Sequence, residues 1–437
     1  MVCRDGSEIG RAQYLQAQAA GVEPSSLHNP VLLKPGGDRQ AFVVLRGQPA
    51  GQLQAGEYAP GRAHLAEAAF AAYEELEAGV DLVVCEGAGS PAEINLRSGD
   101  YVNMGLARRF ELPVIVVGDI DRGGILASLY GTWALLDQED RSLVRAFVIN
   151  KFRGDRSVLD PGLVRISDLT GVPFLGVIPW LHDVWLDSED ALSLGRWRSG
   201  ADGVDDPDRL SVAVIRLPRT SNATDVDALA AEPGVDVRIT VDRDVCREAD
   251  LLVLPGSRAT VSDLGWLRQS GLADVVTERC RAGRPVLGIC GGYQMLAQTI
   301  DDRVESGSGL VDGLGLLDVR VEFAADKVLG RPSGTWRGHQ VHGYEIHHGT
   351  VDDDGSFPGG TQQGSVWGTI WHGTLECDDF RRAWLTDIAR QVGSRWRART
   401  AAAGFSQRRR AMIDHVADAV EDNLDLDHLL SLVKVDR

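Results

Sequence analysis

Pro285-Val286-Leu287-Gly288-Ile289-Cys290-Gly291-Gly292-Tyr293-Gln294-Met295-Leu296 is the stretch on which the fold of this chain turns. Its first five residues, a short apolar run, predict a buried strand. The glycine pair allows a sharp turn, and a helical pattern begins at Tyr293. Cys290 is thereby displayed at an elbow between strand and helix. A helix N-terminus favours thiolate over thiol, and lowering a cysteine pKa from about 8.5 toward neutrality makes the nucleophilic form abundant. The N–H of Gly291 is placed to stabilise an oxyanion. Buried structural cysteines are common in strands. Gly-x-Cys-Gly-Gly between strand and helix, however, follows the grammar of a nucleophile elbow.

Outward from the elbow, apolar runs alternate with helical patterns. In the first half these are a helix over Leu65–Leu76, a strand over Asp81–Cys85 and a strand over Pro113–Val117. A helix from about Gly124, a strand over Ala146–Asn150 and a short strand within Gly171–Pro179 follow. Continuous apolar strands separated by helices predict a parallel sheet covered on both faces. Composition shifts to Gly, Asp, Arg and Ser between Leu194 and Leu210, which reads as a linker. A second series opens with Ser211–Ile215 and runs to about residue 390. The periodicity of Met412–Leu432 predicts helix packed outside that second domain. The expected fold is α/β, with two doubly wound parallel-sheet domains.

The 437 residues suit two or three domains. Hydrophobic content of 43% and charged content of 25% are those of a globular protein. No apolar run reaches the roughly 18 residues of a membrane span, and the start, Met1-Val2-Cys3-Arg4-Asp5-Gly6, lacks a signal-peptide core, so no membrane role and a cytoplasmic location are expected. Cysteines at 3, 85, 246, 280, 290 and 377 have neither metal nor disulfide spacing. A net charge of -18 argues against nucleic acid as a partner. An anionic substrate needs a local basic patch, and Arg408-Arg409-Arg410 reads as a solvated face.

Residues 285–296 resemble the nucleophile segment of class I glutamine amidotransferases, whose cysteine attacks the side-chain amide of glutamine and releases ammonia. The resemblance implies glutamine as a substrate, a histidine base and a second oxyanion donor. Ala249–Ser257 reads as a strand running into a turn, and by the resemblance the N–H of Gly256 is that donor. Of ten histidines, His372, closing the alternating run Val366–Trp371, matches the position of the family's base. His347, in Gly343-Tyr344-Glu345-Ile346-His347-His348-Gly349, is its rival, with strand-end packing or substrate contact as its other reading. Many class I enzymes carry an acid two positions after the histidine, where this chain has Thr374. Either a Cys–His dyad acts, or a carboxylate from elsewhere, with Glu345 as candidate, orients the imidazole.

In the first half, Glu86-Gly87-Ala88-Gly89 follows a predicted strand, so Glu86 emerges at the sheet edge where ligands of open α/β sheets bind. A carboxylate there suits Mg2+ bridging nucleotide phosphates. Asn150-Lys151 also ends a strand and is placed to contact a nucleotide base. With Glu8–Gln13, Asn29–Pro35, Pro91–Leu96, Asn103–Gly105 and Asp119–Gly124, these phrases resemble the cobyric acid synthase family from Asp5 to Leu432. Its members fuse an ATP-dependent domain related to dethiobiotin synthetase to a class I, flavodoxin-like amidotransferase domain.

The resemblance implies a synthetase domain over 1–195, a linker over 196–210 and an amidotransferase domain with C-terminal helices over 211–437. It also implies ATP and Mg2+, and a corrinoid polycarboxylate acceptor amidated at its b, d, e and g positions. Cobyrinic acid a,c-diamide synthase shares the architecture and stays open as an alternative. The P-loop of the family is absent: G-x-x-x-x-G-K-[ST] does not occur, and none of the four lysines, Lys34, Lys151, Lys327 and Lys434, follows a glycine. A truncated N-terminus is the expectation, with apolar surface exposed where a sheet edge is lost. An uncoupled glutaminase or a non-catalytic corrinoid-binding protein is the reading from the other class.

Overall fold

Val286–Ile289 forms a strand in the interior of a six-stranded sheet. The computed structural model of the protein describes residues 1–37, 40–54, 63–182, 184, 208–399 and 401–433. The sheet order is Gly360–Gln363, Val366–Thr369, Val286–Ile289, Leu251–Leu254, Leu210–Ile215, Val235–Thr240. All neighbours are parallel except the first pair. The strands at 251, 286 and 366 are buried at every position, as uninterrupted apolar runs in a doubly covered parallel sheet should be.

Helix Asp378–Val392 covers this sheet with Phe380, Trp384, Leu385 and Ile388, a one-sided apolar stripe. Burying each of the aliphatic and phenyl side chains contributes roughly 1.5–3 kcal/mol. Trp384 meets Trp367 edge to face at 5.6 Å. On the polar side of that helix, Arg381 is buried against Glu232 at 2.6 Å. A second sheet, ordered Gly309–Asp312, Thr299–Asp302, Arg320–Gly330, Glu345–Val351, and the hairpin of Ser333–Trp336 with His339–His342 complete this part.

The first half contains a smaller parallel sheet, ordered Val114–Asp119, Val144–Phe152, Phe174–Pro179. Alternation along the middle strand sends Phe147 and Ile149 into a core with Ile125, Leu129, Leu163 and Ile166 of two helices. Ala146 and Val148 face the other way, toward Leu424 and Leu429. An antiparallel meander of Val31–Gly37, Gln40–Leu45 and Gln48–Gln54 precedes this sheet.

Two expectations are corrected. Asp81–Cys85 is not a strand: it has no ladder partner, and Val84 and Leu82 are 86% and 47% exposed. An apolar run becomes a strand only where a neighbour takes up its N–H and C=O groups. Apolar surface is also open on Val114–Asp119, an edge strand among the described residues, where Val117 is 59% exposed. Secondly, Met412–Leu432 is helical as expected, within Phe405–Asn423 and Leu426–Ser431, but it packs on the first-half sheet, where Gly176 bridges Leu424.

The chain forms two compact units with exchanged ends. One unit joins Met1–Asn29 to the described part of 187–409, and the other joins Pro30–Leu186 to the described part of 410–437. The partition expected from sequence, 1–195 and 211–437, assigns both termini the other way. Residues 196–207 of the expected linker lie outside the described residues, and its last residue, Leu210, opens a strand.

Candidate active site

Strand Val286–Ile289 delivers Cys290 to the C-terminal edge of the large sheet, the ligand edge of open α/β folds. Cys290 caps the helix Gly291–Leu296 with φ 48° and ψ -110°. A side chain in such a conformation costs on the order of 1–3 kcal/mol, and the surroundings must enforce it. Its N–H donates to the Thr369 carbonyl at 2.7 Å and its carbonyl accepts from the Gln294 N–H at 2.9 Å. The glycine pair follows from close approach. A Cβ on Gly292 would lie 2.1 Å from the Leu254 carbonyl oxygen, and one on Gly291 2.7 Å from the Ser257 nitrogen.

His372 follows the neighbouring strand Val366–Thr369 and is 1% exposed. Its Nδ1 lies 2.6 Å from Asp225 Oδ2, while Asp225 Oδ1 accepts from the Gly373 N–H at 2.9 Å. Both carboxylate oxygens are thus committed to the histidine turn. On its other side Asn222 Nδ2 is 3.1 Å from Nε2, and Cys290 is near enough to act on the imidazole electrostatically. Burial alone would lower the His372 pKa, but the negative charges of Asp225 and Cys290 outweigh it and raise the value above that of an ordinary histidine. The group is therefore held toward imidazolium, the partner a thiolate needs.

Tyr344 completes the support. Its ring stacks on His372 with centroids 5.2 Å apart. The two backbones exchange hydrogen bonds of 3.0 and 2.8 Å. Four residues beyond the histidine, Glu376 is gripped by Arg11 at 3.0 Å and Arg409 at 2.9 Å. Burial opposes its ionisation, yet these guanidinium groups pull its pKa down to about 2. Arg11 belongs to Glu8–Gln13, which the sequence assigned to the first domain. Glu8 likewise meets Lys327 at 2.6 Å.

The expected residues are thus partly regrouped. Cys290, Gly291 and His372 come together as anticipated. Glu345 does not orient His372; it stands 3.5 Å from His347. The orienting carboxylate is Asp225, which sequence reasoning missed. The available signal was Ser221-Asn222-Ala223-Thr224-Asp225, a polar loop after strand Leu210–Ile215 that ends on the same sheet edge as Cys290.

The N–H of Gly256, expected as the second oxyanion donor, is engaged elsewhere. Gly256 and Ser257 pair antiparallel with Ser221 and Thr220, and the Arg258 N–H donates to the Arg219 carbonyl at 2.9 Å. Hydrogen-bonded and non-hydrogen-bonded pairs alternate along such a ladder. Gly256 therefore spends its N–H on the ladder, whereas the N–H of Ser257 points out of it, beside Gly291.

In the other unit, Asp119, Asn150 and Lys151 meet where two parallel strands end. Lys151, at φ 64°, donates from Nζ to Asp119 at 2.6 Å, and Asn150 Oδ1 accepts the Lys151 N–H at 2.8 Å. Arg153 lies over the Trp180 ring at 4.0 Å. Glu86 sits in the exposed segment after Cys85, where Asn103 donates to the Ala88 carbonyl at 2.9 Å. Among the described residues no cluster of three His, Cys, Asp or Glu could cage a metal. A single exposed carboxylate ligand fits Mg2+ only in the mode where nucleotide phosphates and water supply the other ligands. Among the described residues, no helix is long and apolar enough to cross a membrane.

Residues 211–380 match a CobB/CobQ-like glutamine amidotransferase domain, and residues 52–186 match an AAA domain. A cobyric acid synthase of Cutibacterium acnes is 62% identical over 99% of this chain and 91% of its own length. Those of Streptomyces avermitilis and Rhodococcus jostii are 52% and 53% identical over 99% of this chain, covering 88% and 87% of theirs.

Proposed function

The chain belongs to the cobyric acid synthase family, and from that premise we propose how its residues divide the reaction. It is an ATP-dependent carbon–nitrogen ligase of cobalamin biosynthesis, with glutamine as nitrogen donor and a corrinoid as acceptor. The Cys290 thiolate attacks the amide carbon of glutamine. The resulting oxyanion is held by the N–H groups of Gly291 and Ser257, in place of the Gly256 donor expected from sequence. His372 gives its proton to the departing nitrogen, the C–N bond breaks and ammonia leaves. His372 then takes a proton from water, which cleaves the thioester to glutamate and restores the thiolate. The observation that carries this reading is the buried Cys290–His372–Asp225 constellation.

In the synthetase unit a substrate carboxylate is phosphorylated by ATP, and ammonia displaces phosphate from the acyl phosphate to leave an amide. A carboxylate is a poor electrophile, so the phosphoryl group supplies the missing leaving group. Asn150 and Lys151 take the nucleotide base, and Glu86 takes Mg2+, which when bound neutralises the phosphate charge. The proposed acceptor is adenosylcobyrinic acid a,c-diamide, amidated at b, d, e and g.

The test uses glutamine labelled with 15N at the amide, with ATP and either cobyrinic acid or its a,c-diamide. Label is expected in the corrin amides of the a,c-diamide acceptor. Preferential labelling of cobyrinic acid would instead assign the a,c-diamide synthase reaction. Labelled ammonia without ATP consumption would make the protein an uncoupled glutaminase. Glu86→Gln is expected to abolish amidation with glutamine and with ammonia alike. ATP turnover unchanged in that variant would dismiss the metal role.

A further inference from the structure

His347 is a buried group that the amidotransferase chemistry does not use. It is 9% exposed, neither ring nitrogen makes a hydrogen bond, and Glu345 Oε2 stands 3.5 Å from Nε2. Polar groups buried in this way normally have a partner. Both side chains project from strand Glu345–Val351, two residues apart and hence on one face. That face bounds a cavity of about 510 Å3, walled by Trp371 and Phe357 and rimmed by Asp353. Such a volume takes a small organic molecule. Neither Cys290 nor His372 lines it, and among the described residues no Lys or Arg does. No metal cage exists among the described residues either.

We propose that this cavity is a binding site for a small organic ammonium ion. Two adjacent acceptors, the His347 imidazole and the Glu345 carboxylate, match the N–H donors of a primary ammonium group. The face of Trp371 or Phe357 offers a cation a further attraction. Asp353, flanked by Asp352 and Asp354, adds negative potential at the mouth, which draws in cations and turns away carboxylates. The site is separate from the glutamine chemistry, because its lining residues make no contact used there.

The experiment is calorimetric titration of the full chain with benzylammonium, benzyl alcohol and benzoate, a cation, a neutral analogue and an anion of one shape. Benzylammonium is expected to bind at least about tenfold more tightly than the alcohol, with benzoate not binding. Glu345→Gln and His347→Gln should each weaken it by about tenfold. In the unsubstituted protein, labelled histidine signals give a second readout: the resonance missing from His347→Gln should shift with the cation. Equal binding of the alcohol or benzoate, undiminished binding to Glu345→Gln, or no shift of the His347 resonance would each overturn the proposal.

Discussion

Cys290→Ala is expected to abolish glutamine-supported amidation, by roughly 10^4-fold or more, while amidation supplied with ammonia persists. The size follows from chemistry, because a methyl group cannot form the thioester. The selectivity follows from the division of labour. In the proposed reaction ammonia enters after the step assigned to Cys290, and Glu86, Asn150 and Lys151, proposed for nucleotide and Mg2+, lie in the other compact unit. Alanine also relieves little of the strain at φ 48°, so folding should change only modestly. Glutamate release and corrinoid amidation, measured in parallel on one preparation, form the check. Glutamine-driven turnover near that of the unsubstituted protein would remove the thiol from the mechanism. Loss of both nitrogen sources would show that the elbow supports something beyond glutamine hydrolysis.

Asp225→Asn should cost about 10^2–10^4-fold in the glutaminase kcat, with little change in KM. The carboxylate both fixes the ring through Nδ1 and holds the Gly373 N–H, so an amide of the same shape can orient His372 but cannot balance its charge. The sign of the pH effect follows from the raised His372 pKa, to about 10 despite the opposing effect of burial. With Asp225 present the imidazolium persists through neutral pH and is lost only as pH rises toward that value. Without the carboxylate, burial prevails and the alkaline limb of the kcat profile should move to lower pH. His372 also contributes to stability, fully below its unfolded pKa of about 6.5 and lost as pH rises through the folded value. The variant should therefore lose most thermal stability in acidic to neutral buffer and least at high pH. An unshifted alkaline limb would mean that Asp225 acts only as a structural brace.

Legibility in the sequence tracked how local each feature was. The Cys290 elbow could be read because strand, glycine pair and helix are contiguous, and the glycines are demanded by backbone carbonyl and amide groups within bonding range of where a Cβ would stand. His372 was readable because it closely follows an apolar strand and matches the position of the family's base, although that strand is buried at every position and does not alternate as expected. Asp225 was not: it lies 147 residues from His372 in the chain, and only the parallel pairing of strands puts both loops on one edge. That the Gly256 N–H is spent on the ladder while that of Ser257 is not depends on ladder alternation, which no spacing within Pro255-Gly256-Ser257 reveals. Asp81–Cys85 misled for the opposite reason, since its apolar run satisfies the local pattern while strand formation requires a partner.

From its sequence alone, this chain is legible as an α/β protein with Cys290 as the candidate nucleophile, because those features reside in periodicity and in a turn of a few residues. Tertiary structure alone decided the carboxylate behind the histidine, which backbone N–H is left out of the ladder beside Gly291, and how the two chain ends are divided between the units. Each of these rests on contacts between residues far apart in the chain, and such contacts are selected by the burial of whole faces and the pairing of whole strands, quantities no short segment contains.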